Sequence, residues 1–317
     1  MALDKSLLAR GPAIVTYAGN TFYTNADILS RFGPVWNPVC TSMYGQVDKV
    51  LVDRVYKLPL RLWGAWESLS VLFPSYAMSP QAGASIFGTT ATPLVILARN
   101  GDQITYANAQ ITKLANLFLG LDSDLFAADV EFTCIIGNSS GSTLFDPGDA
   151  NAYYTTATGQ TYTAAAFAKT NYKRVRFTGA WGAIPGFTSV IPQRGFQISW
   201  DLDVQPLTCD GLGTVDFTIG ENILQGSCKC VPIQPTIAEL ESQVAAQGVP
   251  FGTLLSANVA DLTVTGNGGS PVVMLKHAGI TEHGYAFGIE PLRQGEITWT
   301  TTRGFTAGVP DAVASVA

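Results

Sequence analysis

Few residues in this chain have types and spacings that could do chemistry. Gly137-Asn138-Ser139-Ser140-Gly141 has the spacing of a nucleophile elbow, in which a serine on a strained strand-to-helix turn attacks a carbonyl. The elbow needs a helix directly after it. Ser142-Thr143-Leu144-Phe145-Asp146-Pro147-Gly148 follows instead, so the expectation is a flexible Gly/Ser loop. His277 and His283 are the only histidines, and Glu282 adjoins the second. Zinc needs three or four convergent ligands, and Gly279 between the two favours a turn. Surface or interface histidines are expected. Cys228 and Cys230 alternate along a strand pattern and share one side, but no second pair completes a zinc ribbon. Small buried residues in a sheet are expected there. Neither Cys40 nor Cys209 marks a site. The loop Gly266 to Pro271 is glycine-rich but holds no Lys and leads into a strand, so it reads as a turn and not a phosphate cradle. The pairs Asp122/Asp124 and Asp201/Asp203 would each share a strand face, as a glycosidase or a cation requires. Solvated faces are the expectation. Trp63 and Trp66 could form a sugar platform, but they suit the apolar stripe of a helix better. The expectation is no enzyme, with no catalytic, cofactor-binding or metal residues.

Composition narrows the classes further. The chain has 317 residues, enough for two domains that each bury a core. Apolar residues make up 47% and charged residues 13%, about half the usual share. So little charge implies that much of the surface is covered by other protein. The net charge of −6 opposes tight binding to a nucleic-acid backbone, and the one basic cluster, Lys169 to Arg176, is short. Five cysteines without regular spacing do not form a secreted disulfide framework. No apolar run approaches a membrane span or a signal-peptide core. A protein kept in a reducing cytoplasm before assembly is expected.

The elements that must position any site occur twice. Pro38 to Asp48 (PVCTSMYGQVD) matches Pro206 to Asp216 (PLTCDGLGTVD), with Pro38/Pro206, Gly45/Gly213, Val47/Val215 and Asp48/Asp216 in step. Pro93 to Arg99 matches Pro271 to His277, and Leu125 to Cys134 matches Leu292 to Thr301. These matches place a first copy in 1–138, a linker or extended loop in 139–171 that packs on a neighbour, and a second copy in 172–317. Phe196 to Val204 alternates apolar and polar residues, the mark of a half-buried strand. Leu94 to Leu97 and Val272 to Leu275 are continuously apolar, as in strands buried on both faces. Leu62, Trp66, Leu69 and Phe73 give a helical stripe ending near Pro74. In the second copy Thr236 and Glu239 form a capping box, with Ile237, Leu240 and Val244 as the stripe and Gly248 as the stop. Each copy therefore reads strands, helix, strands. The expected fold is mainly β, a sandwich or barrel with one flanking helix per copy.

The duplicated Pro-x(6)-Gly-x-Val-Asp segments, the helices near 62–73 and 236–247 and the paired closing strands resemble the tail tube (major tail) proteins of long-tailed bacteriophages. That resemblance implies a β-sandwich flanked by a helix, six such domains per ring, and rings stacked into a tube. With two fused copies per chain, it implies a homotrimer forming a pseudo-hexameric ring. The implied role is a virion structural protein whose tube conducts DNA during ejection. Its implied partners are itself, other tail proteins at the tube ends, and tape measure protein or DNA held loosely in the lumen, with no membrane. A distal-tail or baseplate hub ring protein shares the implied fold. A carbohydrate-binding β-sandwich is the competing class. An acidic lumen, lined by Asp and Glu with little Lys or Arg, is expected to repel DNA phosphates.

Overall fold

The computed structural model describes residues 12–24, 34–54, 56–87, 92–120, 125–135, 154–163, 176–181, 192–209, 213–220, 227–232, 260–267, 269–286, 294–302, 305–306, 309–310 and 312–317. They are mainly β, as expected. The first half holds β1 (Ala13–Tyr17), β2 (Asn20–Thr24), β3 (Pro34–Thr41), β4 (Gly45–Arg54), β5 (Tyr56–Gly64), β6 (Leu94–Leu97), β7 (Gln103–Tyr106), β8 (Asn108–Leu119), β9 (Phe126–Ile135) and β10 (Tyr154–Ala157). The second holds β11 (Phe177–Trp181), β12 (Pro192–Asp201), β13 (Val204–Cys209), β14 (Gly213–Ile219), β15 (Ser227–Pro232), β16 (Ala260–Gly266), β17 (Val272–Ala286) and β18 (Gln294–Thr301). The short strands β19 (Phe305–Thr306), β20 (Val309–Pro310) and β21 (Ala314–Val316) follow.

Period-two alternation sets the strands. In β12, Phe196, Ile198 and Trp200 are buried while Gln197 and Asp201 are exposed. Leu58, Leu60 and Leu62 of β5 point inward, and Lys57, Pro59 and Arg61 point to solvent. β6 and the first part of β17 also alternate buried with half-buried residues. Their continuous apolar runs therefore do not mark strands buried on both faces, as the sequence pattern had implied.

One topology is traced twice. β1 pairs β6, and β11 pairs β16. β6 pairs β7, and β16 pairs the start of β17. β8 pairs β9, and the end of β17 pairs β18. β9 pairs β5 and β5 touches β2; β18 pairs β15, which pairs β12. Hairpin β3–β4 has its counterpart in β13–β14. β7 and β8 are separated by Ala107 alone, so together they act as one bent strand, and β17 does the same in a single run. Edge strands complete the repeat: β10 pairs β7, and β21 pairs the matching part of β17. β10, within the stretch 139–171, thus pairs with the first half. The described part of the stretch 139–171 lies on its own half, where Tyr162 donates to the Pro12 carbonyl at 2.9 Å.

The paired strands amend one of the three sequence matches. Leu125–Cys134 and Leu292–Thr301 fall on equivalent strands, β9 and β18. Pro93–Arg99 and Pro271–His277 do not. The first contains β6, the opening arm of its hairpin; the second enters β17, the closing arm. Both are apolar because both face the core, which makes them alike without making them equivalent. With Cys134 set against Thr301, Ala109 matches Ala278, so His277 corresponds to Asn108 rather than to Arg99.

The helix expected over 62–73 is also different in kind. Trp63 and Gly64 continue β5 by pairing Ala127 and Phe126. A 3-10 helix runs over Trp66–Leu72, and a one-turn α1 over Ser75–Met78 begins after Pro74. Trp66, Leu69 and Leu72, all buried, recur every third residue, the period at which a 3-10 helix eclipses its side chains. That row buries them together where an α-helix would splay them. The second expected helix, 236–247, lies outside the described residues.

Candidate functional site

The halves are joined by two seams of named contacts. In the first, β8 pairs β12, which makes one fifteen-stranded sheet out of strands from both halves. Its register runs from Phe196 opposite Leu119 to Asp201 opposite Lys113, whose ammonium bonds the Asp201 carboxylate. Gly195, in a bulge with φ +91, lets β12 pass against the Leu119 carbonyl. Behind the sheet the Trp200 Nε1 donates to the Leu72 carbonyl at 3.0 Å, and the Leu202 amide donates to the Thr112 carbonyl at 3.2 Å. The Trp66 ring lies 5.0 Å from that of Phe177. One continuous core takes residues from both halves.

In the second seam, the segment Gly83–Phe87 of the first half lies along β14 of the second. The Gly83 and Ile86 amides donate to the Ile219 and Phe217 carbonyls at 2.8 and 2.9 Å. The Ile219 amide donates to the Ala84 carbonyl at 3.1 Å. Asp216 accepts the Ser85 hydroxyl and, at 3.3 Å, the Phe87 amide. Ile86, Phe87, Ile135, Phe217 and Ile219 bury a small apolar cluster beneath.

The sequence candidates fall mostly outside these seams. Ser139 and its glycines, Asp122 and Asp124 lie outside the described residues. Asp201 sits at the first seam as an ion-pair partner, and its neighbour Asp203 is exposed at the strand end. Cys228 and Cys230 are in β15 opposite Ile198 and Phe196. Cys40 is exposed. Gly266 to Pro271 is the β16–β17 turn, closed by the Gly269 amide on the Gly266 carbonyl at 3.0 Å. Trp66 is core, and Trp63 carries the Arg61 guanidinium over its ring at 5.6 Å. An aromatic sugar platform does not form from these two. Among the described residues no three His, Cys, Asp or Glu cluster to hold a metal. Burial pushes the Cys134 thiol and the Tyr17 and Tyr76 hydroxyls well above their ordinary ranges, which keeps all three protonated at neutral pH. Tyr17 and Tyr76 are fastened to the Gln110 side chain and the Ile111 carbonyl. Neither seam was legible as a site, because both are built largely from backbone groups.

His277 has a structural place. It takes φ +47 where β17 leaves β16 for β18, and its carbonyl accepts the Thr302 amide at 3.0 Å. Its own amide donates to Asp261, which also pairs Lys276 at 2.7 Å. Burial would raise the Asp261 carboxyl, but the bonds from Lys276 and the His277 amide outweigh it and hold the carboxyl below its ordinary range. A depressed carboxyl stabilises the fold above its unfolded-state value, and that contribution is lost as pH falls through the folded value. Asp261→Asn is therefore expected to cost a fraction of a kcal/mol (~0.5) at neutral pH, after allowance for solvent screening. In melting curves the gap from the native chain should close on the acid side. A constant gap at every pH would refute this role.

The solvent face of the joined sheet is a lattice of opposite charges. Lys57 pairs Glu131 at 3.5 Å, Arg61 pairs Asp129 at 3.7 Å, and Lys113 pairs Asp201. No helix among the described residues is long and apolar enough to cross a membrane. No family model matches this chain, and no curated protein is similar to it.

Proposed function

We propose that this chain is a virion structural protein that assembles with itself into rings, and that the rings stack into the tail tube of a long-tailed bacteriophage. The observation that carries the reading is the β8–β12 seam between two halves of one topology. Unlike edges of like units meet there, a head-to-tail contact. Among the described residues the end of β17, which corresponds to β8, pairs β18 on one side, and beyond Ala278 no strand covers its other side. Repeating the internal seam between chains covers that edge. Head-to-tail contacts close into rings when the rotation per unit divides a full turn. A closed ring also removes the sheet edges that would otherwise invite aggregation.

The ring of three chains, the stacking, the tube and the passage of DNA are carried by the resemblance. The partners are further copies of the chain, tail proteins at the tube ends, and tape measure protein or DNA in the lumen. The joined sheet would form the lumen wall. Its cations Lys57, Arg61 and Lys113 would then face the lumen already paired with Glu131, Asp129 and Asp201. A wall whose cations are already matched offers DNA phosphates little to bind.

Negative-stain microscopy of the purified chain tests the reading. Long tubes with a central hole are expected. Single rings that never stack would replace the tube with a hub ring. A monomer at every concentration would end the proposal.

A further inference from the structure

The two hairpins agree in register. Each has its register step at the same place, between Val39 and Cys40 in one and between Leu207 and Thr208 in the other. Asp48 stands opposite Val39, as Asp216 stands opposite Leu207. Each carboxylate accepts the amide of the following residue at 2.7 Å, from Lys49 and from Phe217. There the likeness ends. Asp216 also accepts the Ser85 hydroxyl and the Phe87 amide, and Gly83–Phe87 lies along β14 through backbone hydrogen bonds and an isolated bridge at Ser85. Among the described residues β14 comes near β4, but no segment other than β3 hydrogen-bonds along it. Hairpin β3–β4 is a two-stranded sheet, as β13–β14 is, but it is exposed throughout residues 37–49. Met43 and Tyr44 at its tip are 81% and 77% exposed, and Val47 is 52% exposed. A two-stranded hairpin alone is marginal in water, and one bearing several exposed apolar side chains is a docking surface.

We propose that hairpin β3–β4 is the docking site for the second half of another copy of this chain, which covers β4 and Asp48 as Gly83–Phe87 covers β14 and Asp216. The inference rests on the ring reading above and names the contact within it. The occupant follows from the chain's own arrangement. Inside one chain the first half covers the hairpin of the second. Both seams run in this direction, from first half to second. Head-to-tail repetition then sets the second half of one copy on the first-half hairpin of the next. The surface chemistry agrees: Asp48 is already oriented by the Lys49 amide, so an incoming strand finds an acceptor held in place for its amides and hydroxyls.

The test uses the full chain in sedimentation velocity over a range of concentrations, with near-ultraviolet circular dichroism as the check on folding. Asp48→Ala is expected to weaken self-association about thirtyfold and to leave the melting temperature of the dissociated chain unchanged. Val47→Lys should weaken association by a similar factor. Asp216→Ala should instead lower the melting temperature of the dissociated chain, because it breaks a seam within it. If the native chain associates and the Asp48 and Val47 variants associate as tightly, the docking site is wrong and the ring reading survives. If Asp48→Ala lowers the single chain's melting temperature as Asp216→Ala does, the hairpin is covered internally and the proposal falls. If the native chain never associates, both readings fall together.

Discussion

Trp200→Ala is expected to destabilise the dissociated chain by about 3–5 kcal/mol. Trp200 is 2% exposed and belongs to β12 of the second half, yet its Nε1 bonds the Leu72 carbonyl of the first. Truncation removes a large apolar ring from the shared core and leaves that carbonyl without its donor. Two costs therefore add, the cavity and the orphaned acceptor. Trp200→Phe separates them. It keeps most of the ring and loses the donor, so a cost of about 1–3 kcal/mol is expected from the carbonyl alone. Urea unfolding followed by circular dichroism would measure both. Because β8, β12 and the 3-10 helix share one core, a single transition is expected for the native chain. A cost below about 1 kcal/mol for Trp200→Ala would mean that the halves do not depend on this contact.

The strands were legible because their periodicity reports burial directly. Phe196, Ile198, Trp200 and Leu202 alternate in the sequence and are buried in the fold. The hairpin repeat was legible residue by residue, since Pro38 to Asp48 and Pro206 to Asp216 share the same register step. The 3-10 helix was not. Leu62, Trp66, Leu69 and Phe73 fit an α-helical stripe, but pairing with β9 holds Leu62, Trp63 and Gly64 in a strand, which spacing alone does not register. The match of Leu94–Leu97 to Val272–Leu275 misled for a related reason. A short apolar run records that a strand faces the core, and strands of different rank in a barrel all do so. The seams themselves were illegible. Many of their contacts are backbone amides and carbonyls, such as those of Gly83, Ile86, Phe217 and Ile219, which no side-chain pattern announces.

Gly195→Ala is expected to cost about 3 kcal/mol or more, and to act on the seam alone at first. Two penalties meet at this residue. Its φ of +91 is a conformation that side chains rarely adopt, worth about 1–3 kcal/mol. A Cβ there would also stand 2.3 Å from the Leu119 carbonyl oxygen and 2.8 Å from the Gly120 Cα. Both are backbone atoms and cannot rotate away, so β8 and β12 must separate, at a further cost of about 1–3 kcal/mol. Gly45→Ala is the control. It has a similar φ of +68, but nothing lies within 4 Å of its Cβ, so only the conformational cost of about 1–2 kcal/mol applies. The difference between the two variants isolates the close approach of the strands. Hydrogen exchange should show it locally: amides of Phe196 to Asp201 and Lys113 to Leu119 exchange faster in Gly195→Ala, while β6 and β16 keep their protection. Equal costs for the two glycines, with no local change in exchange, would show that the strands tolerate the added methyl. The seam would then be too loose to serve as the template for contacts between chains.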